Sequence, residues 1–158
     1  MKPIRFCLLA GLFSLCLLTS CKKDTDPADG GAVEIPIGIS AKIDGTSFEA
    51  SLTQGINMGD VIWLIGSKTN GATSLTLRLP IDAQPGTYTF PASDPTTLNA
   101  FYTYLSIQTY GAISGKIVVS KHDTVAKTIE GTFEMMCQSI SSSSTVTLED
   151  GKFNMSYQ

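Results

Sequence analysis

Few side chains in this 158-residue sequence could do covalent or metal chemistry: one histidine, His122, four cysteines, and acids scattered singly. One histidine and one cysteine beyond Cys21 cannot supply a tetrahedral zinc site, and no Asp-x-Asx-x-Asx-Gly loop is present for calcium. No metal or other cofactor is expected. His122 sits between Lys121 and Asp123 and is expected in an exposed turn; no Gly-x-Ser-x-Gly elbow marks a nucleophile for it to activate. Glycoside hydrolysis needs two facing carboxyls. Glu49, Glu130, Glu134 and Glu149 fall on polar strand positions, nothing selects a pair, and solvated outer-face acids are the expectation. Phosphate loops and dinucleotide fingerprints are absent, so no catalytic residue is assigned.

Aromatic residues give the one binding signal. In the segment Phe101-Tyr102-Thr103-Tyr104-Leu105-Ser106-Ile107-Gln108-Thr109-Tyr110, read as one strand, Phe101, Leu105 and Ile107 are expected to look inward. Tyr102, Tyr104 and Tyr110 then form an outward strip with Ser106 and Gln108. Tyrosine joins an apolar ring to a hydroxyl, which suits a sugar face or a protein partner. Trp63 lies in the apolar run Val61 to Ile65, so packing is its default and ligand stacking its second role.

The N-terminus reads as an address. Lys2 and Arg5 precede a thirteen-residue apolar run, Phe6 to Leu18, too short to cross the roughly 30 Å hydrocarbon core as a helix. Leu18-Thr19-Ser20-Cys21 follows, and it resembles the lipobox of bacterial lipoproteins. The resemblance implies a signal peptide over 1–20, its removal, and acylation of Cys21; two or three chains would hold the protein at a membrane. Lys22-Lys23-Asp24-Thr25-Asp26-Pro27 is similar to the openings of Bacteroidota lipoproteins, which implies the outer membrane, with the cell surface favoured over the periplasmic face. Residues 21–36 carry too little apolar surface to order themselves and read as a tether. With Cys7 and Cys16 in the signal and Cys21 acylated, Cys137 stands alone; it shares parity with Phe133 and Met135 and is expected to be buried.

The elements that position these residues are strands. Without Lys2 and Arg5 the eleven basic residues become nine against fourteen acids, moving the formal charge from −3 to −5 and leaving no footprint for nucleic acid. Serine and threonine make up 31 of the 122 residues from Ile37 onward, and no stretch keeps a helical apolar period for three turns. The fold is therefore expected to be all-β over 37–158: an antiparallel sandwich of about ten short strands in meander order, with a calycin-like up-and-down barrel as the alternative. Asp44-Gly45 predicts a two-residue hairpin pairing Ile43 with 46, Ala41 with Phe48, Ile39 with Ala50 and Ile37 with Leu52. Asp150-Gly151 predicts a second, pairing Leu148 with Phe153 and Val146 with Met155. Val61 to Ile65 is expected to be buried on both faces, Leu75 to Ile81 to alternate, and Pro80 to end a strand. Further strands are expected at 87–90, 101–109, 115–121, 125–130 and 132–138.

The Asp-Gly hairpin, Gly86-Thr87-Tyr88, Ser114-Gly115-Lys116-Ile117 and Glu130-Gly131-Thr132-Phe133 together resemble a family of uncharacterised Bacteroidota lipoproteins, over roughly Ile37 to Phe153. The resemblance implies location and fold and assigns no activity. The expected function is non-catalytic recognition of a glycan, peptide or envelope protein at the outer membrane. The rivals are a structural part of an envelope or adhesion assembly, a polysaccharide-acting enzyme, and a small-ligand carrier.

Overall fold

The computed structural model describes residues 37–158. The expected signal peptide, acylation at Cys21 and tether fall on residues 1–36, outside the described residues. Ten strands form: β1 Gly38–Ile43, β2 Thr46–Glu49, β3 Leu52–Asn57, β4 Val61–Ser67, β5 Ser74–Pro80, β6 Gly86–Phe90, β7 Asn99–Tyr104, β8 Gln108–Asp123, β9 Thr128–Ser139 and β10 Thr145–Ser156. All pair antiparallel in one sheet of order β2-β1-β10-β9-β8-β7-β5-β4-β3, with β6 pairing β8 off this path.

The sheet curls on itself, because its two terminal strands are consecutive in the chain. Ala50 and Ser51 carry β2 into β3; the Ala50 N–H donates to Ile39 O at 3.0 Å on one side, and the Ser51 N–H to Ser67 O at 2.8 Å on the other. Beyond β10, Gln158 bonds β3 twice, accepting from Asn57 N at 2.7 Å and donating to Gly55 O at 3.2 Å. The layers meet closely where Gly66 faces Ile39: a Cβ there would lie 1.8 Å from the Ile39 Cγ2, so only glycine fits. A single core results, in which Ile62, Leu64, Leu77, Ile117, Leu148 and Phe153 are fully buried. The expected all-β architecture of ten antiparallel strands thus forms as one curled sheet that supplies both layers.

The first hairpin keeps its register: Ile43 opposes Thr46 and Ala41 opposes Phe48, with Asp44 and Gly45 at φ 47° and 77° in the turn. Its pairing stops at Glu49, because the chain bends away at Ala50 and Leu52 pairs Ser67 on β4. The second Asp-Gly is not a hairpin. β10 runs straight through it, Leu148 facing Met135 and Gly151 facing Phe133, so three residues span what two span on β9. Asp150, at φ 51°, is the extra residue of a bulge.

The segment 101–110 is likewise not one strand. Leu105 and Ser106 take φ 49° and 57° and reverse the chain between β7 and β8, placing Tyr102 opposite Tyr110. The reversal inverts the expected faces: Tyr102 and Tyr110 are buried, while Leu105 and Ile107 are exposed. The strands expected at 125–130 and 132–138 merge into β9, continuous through Gly131. The run Val61 to Ile65 is buried mainly on one face, with Ile62 and Leu64 inside and Trp63 and Ile65 half-buried outside. His122 is no exposed turn residue: it lies in β8, with Nδ1 2.8 Å from Ala83 O and Nε2 2.8 Å from the Tyr157 hydroxyl.

Candidate functional site

Antiparallel order gathers four turns at one end of the curled sheet: 44–45, 68–73, 105–107 and 140–144. Ile37 enters at the opposite end, beside Gly55 and Gln158. The four-turn end is braced across turns. Ser106 N donates to Ala72 O at 2.6 Å, Ile140 N to Thr109 O at 3.0 Å, and the Gln108 amide to the Ser144 hydroxyl at 3.3 Å. Between these turns the core is open as a cleft of about 480 Å³.

Three candidate tyrosines meet in this cleft. Tyr102 and Tyr110 face each other across β7 and β8 with ring centroids 5.9 Å apart and stacked, and Tyr104, two residues on, lies 6.5 Å from Tyr102. The exposures differ in a useful way: Tyr102 is 6% and Tyr110 7% exposed, whereas Tyr104 at the lip is 46% exposed. Phe48 and Val146 supply apolar wall, and Thr46, Ser47 and Thr73 supply hydroxyls. None of the three phenol hydroxyls bonds another described residue, whereas those of Tyr88 and Tyr157 both do. Nor are they sealed off, since the occluded, unpartnered side-chain polar atoms among the described residues are Trp63 Nε1 and Arg78 Nε. The phenols of Tyr102 and Tyr110 therefore open to the cleft while their rings stay packed. Burial, with Tyr104, Tyr110 and Asp44 nearby, raises the Tyr102 pKa above the ordinary phenol value, so it stays a neutral donor and acceptor.

Two charges line the cleft, Asp44 and Lys68. The Asp44 carboxylate accepts from Thr147 N at 2.8 Å, and the Lys68 ammonium sits 5.1 Å from the centre of the Phe48 ring. Sequence reasoning missed both as site residues. The Asp-Gly turn was legible, but that it stands beside Tyr102 follows from the sheet closing, which no local pattern carries.

Trp63 is elsewhere. It lies half-buried on the outer face of β4, opposite Arg78 of β5, whose guanidinium is 5.3 Å from the indole. The tyrosines and Trp63 are not brought together. Of the acids, Glu49 and Glu134 line a separate outer-face groove of about 490 Å³. Four of its six charges are paired, Lys42 with Asp150 at 2.8 Å and Lys116 with Glu134 at 3.0 Å, all well exposed, while Glu49 and Lys152 make no ion pair with a described residue. Among the described residues no three His, Cys, Asp or Glu side chains approach closely enough to hold a metal. Cys137 is fully buried, as its strand parity required, and burial pushes its thiol up to about 12.

Fold and cleft define a class: a small all-β domain whose curled sheet opens at one end onto an aromatic, hydroxyl-lined hollow. Residues 37–155 match a protein family described as a domain of unknown function, DUF6252, and the chain belongs to that family. No curated protein and no solved structure matches it at a significant level.

Proposed function

We propose that this domain is a non-catalytic recognition module that holds a saccharide in the tyrosine cleft, on a bacterial lipoprotein anchored to the outer membrane through acylated Cys21. The observation that carries the reading is the pair of buried rings, Tyr102 and Tyr110, whose hydroxyls reach the cleft without a partner among the described residues. Water bonds such open hydroxyls in the free cleft, and a sugar that displaces it offers a ring face to the aromatic wall and hydroxyls to the polar groups beside it. Tyr104, exposed at the lip, is the stacking platform. The anchor reading rests on Leu18-Thr19-Ser20-Cys21.

The test is titration of the purified protein with a panel of oligosaccharides, read by calorimetry and by NMR of the tyrosine side chains. Binding that weakens about tenfold in Tyr104→Ala and persists in Trp63→Phe is the expected result. A panel without a binder, or binding that depends on Trp63 and not on Tyr104, overturns the reading. Labelling with a radioactive fatty acid, lost in Cys21→Ser, tests the anchor separately.

A further inference from the structure

We propose, resting on the saccharide reading of the cleft, that the sugar is acidic and that Lys68 receives its negative charge. Three observations lead there. First, Lys68 has no carboxylate partner: the ion pairs among the described residues are Lys42 with Asp150 and Lys116 with Glu134. Its ammonium rests on the Phe48 ring, inside the aromatic wall of the cleft, where a cation attracts an anion more strongly than in open water. Second, the backbone that carries it is fixed. Lys68 N donates to Thr73 O at 2.9 Å and Gly71 N donates to Lys68 O at 2.7 Å, so the loop presents the side chain from a closed turn.

Third, the one acid lining the cleft keeps its charge but is bonded to β10 and not to Lys68. Asp44 accepts from Thr147 N at 2.8 Å, and its own N–H donates to Thr147 O at 2.9 Å, which ties this residue to β10. Asp44 and Lys68 make no ion pair. The cleft thus offers a cation on one wall, three phenols on another and a stacking ring at the lip. An ammonium is a compact point charge that takes a carboxylate or a sulfate ester without demanding bidentate geometry. The common requirement is one negative charge on a sugar ring, and the experiment separates its two chemical sources.

Galacturonic acid oligosaccharides are compared with their methyl esters, and sulfated galactose oligosaccharides with their unsulfated parents, each titrated into the purified protein. At least one charged member is expected to bind about tenfold more tightly than its neutral counterpart, the gain of one charge-assisted hydrogen bond. That preference shrinks as salt rises, disappears in Lys68→Gln and returns in Lys68→Arg. Which pair shows it identifies carboxylate or sulfate. Equal binding of charged and neutral members, with both lost in Tyr104→Ala, overturns the acidic assignment and leaves recognition at the cleft standing. A preference that survives Lys68→Gln overturns the role of Lys68. Failure of every member of both pairs to bind overturns this inference, and the oligosaccharide panel then decides whether saccharide recognition itself falls.

Discussion

Replacing Tyr102 by phenylalanine separates a recognition site from a packed core, because the two give opposite signs. The substitution keeps the ring, which is 6% exposed and stacked on Tyr110, and removes only the hydroxyl. If that hydroxyl has no protein partner, the folded state holds it partly dehydrated at a cost of about 0.5–1 kcal/mol, the low end for a hydroxyl left unbonded on one side. Tyr102→Phe then stabilises the protein by that amount, raising the melting temperature by about 2–4 °C for a domain of this size. Saccharide binding falls by about fivefold, one lost neutral hydrogen bond of about 1 kcal/mol. There is also a pH signature. Burial raises the folded-state pKa of Tyr102, so its contribution is fully present below the unfolded phenol value of about 10 and is lost as pH climbs through the folded value. The variant lacks that part of the alkaline decline. Thermal unfolding with calorimetric titration measures both effects; a variant destabilised by 1 kcal/mol or more shows that the hydroxyl is satisfied inside the protein and refutes the reasoning.

Three further outcomes follow from packing and backbone. With its thiol held up to about 12, Cys137 should resist iodoacetamide at pH 8 in the native protein and react at the rate of unfolding, which denaturant-dependent labelling reads. Asp150→Val should destabilise by about 1–2 kcal/mol more than Asp150→Asn, since both lose the exposed ion pair with Lys42 but only asparagine tolerates φ 51°; urea midpoints at constant slope decide it. Tyr157→Phe should cost about 1–2 kcal/mol, because it leaves His122 Nε2 without its 2.8 Å partner, and it should speed hydrogen exchange at Asn57, whose amide is held by Gln158.

Much of the fold was legible because strand parity is a local property. The register of the first hairpin, the strand ending at Pro80 and the burial of Cys137 all follow from alternation and turn chemistry. What failed was the inference from backbone conformation to chain reversal. Asp44-Gly45 and Asp150-Gly151 both place an aspartate at positive φ, yet one turns the chain and the other only bulges it, because β10 is held on both sides by β1 and β9. Leu105-Ser106 is the converse. It reverses the chain without glycine, asparagine or aspartate to announce it, and Tyr102 and Tyr110 beside that hidden turn are buried while Tyr104 stays exposed. That the three tyrosines lie together was therefore legible, and the burial of two of them was not. His122 escaped for a different reason: Ala83 and Tyr157, which bond it, lie 39 and 35 residues away.

The bend at Ala50 and Ser51 has a consequence for how copies of this protein coexist. A sheet that stops presents rows of unpaired amides and carbonyls on which a neighbouring molecule can add a strand. Here the last strand at each side is the same stretch of chain: β2 is four residues long, and β3 is pinned at Gly55 and Asn57 by Gln158. At these two edges little uninterrupted ladder is left for a second molecule to extend; the five-residue β6, which pairs only β8, keeps a free side. Along β2 and β3, crowded copies would therefore find little backbone to template a further strand.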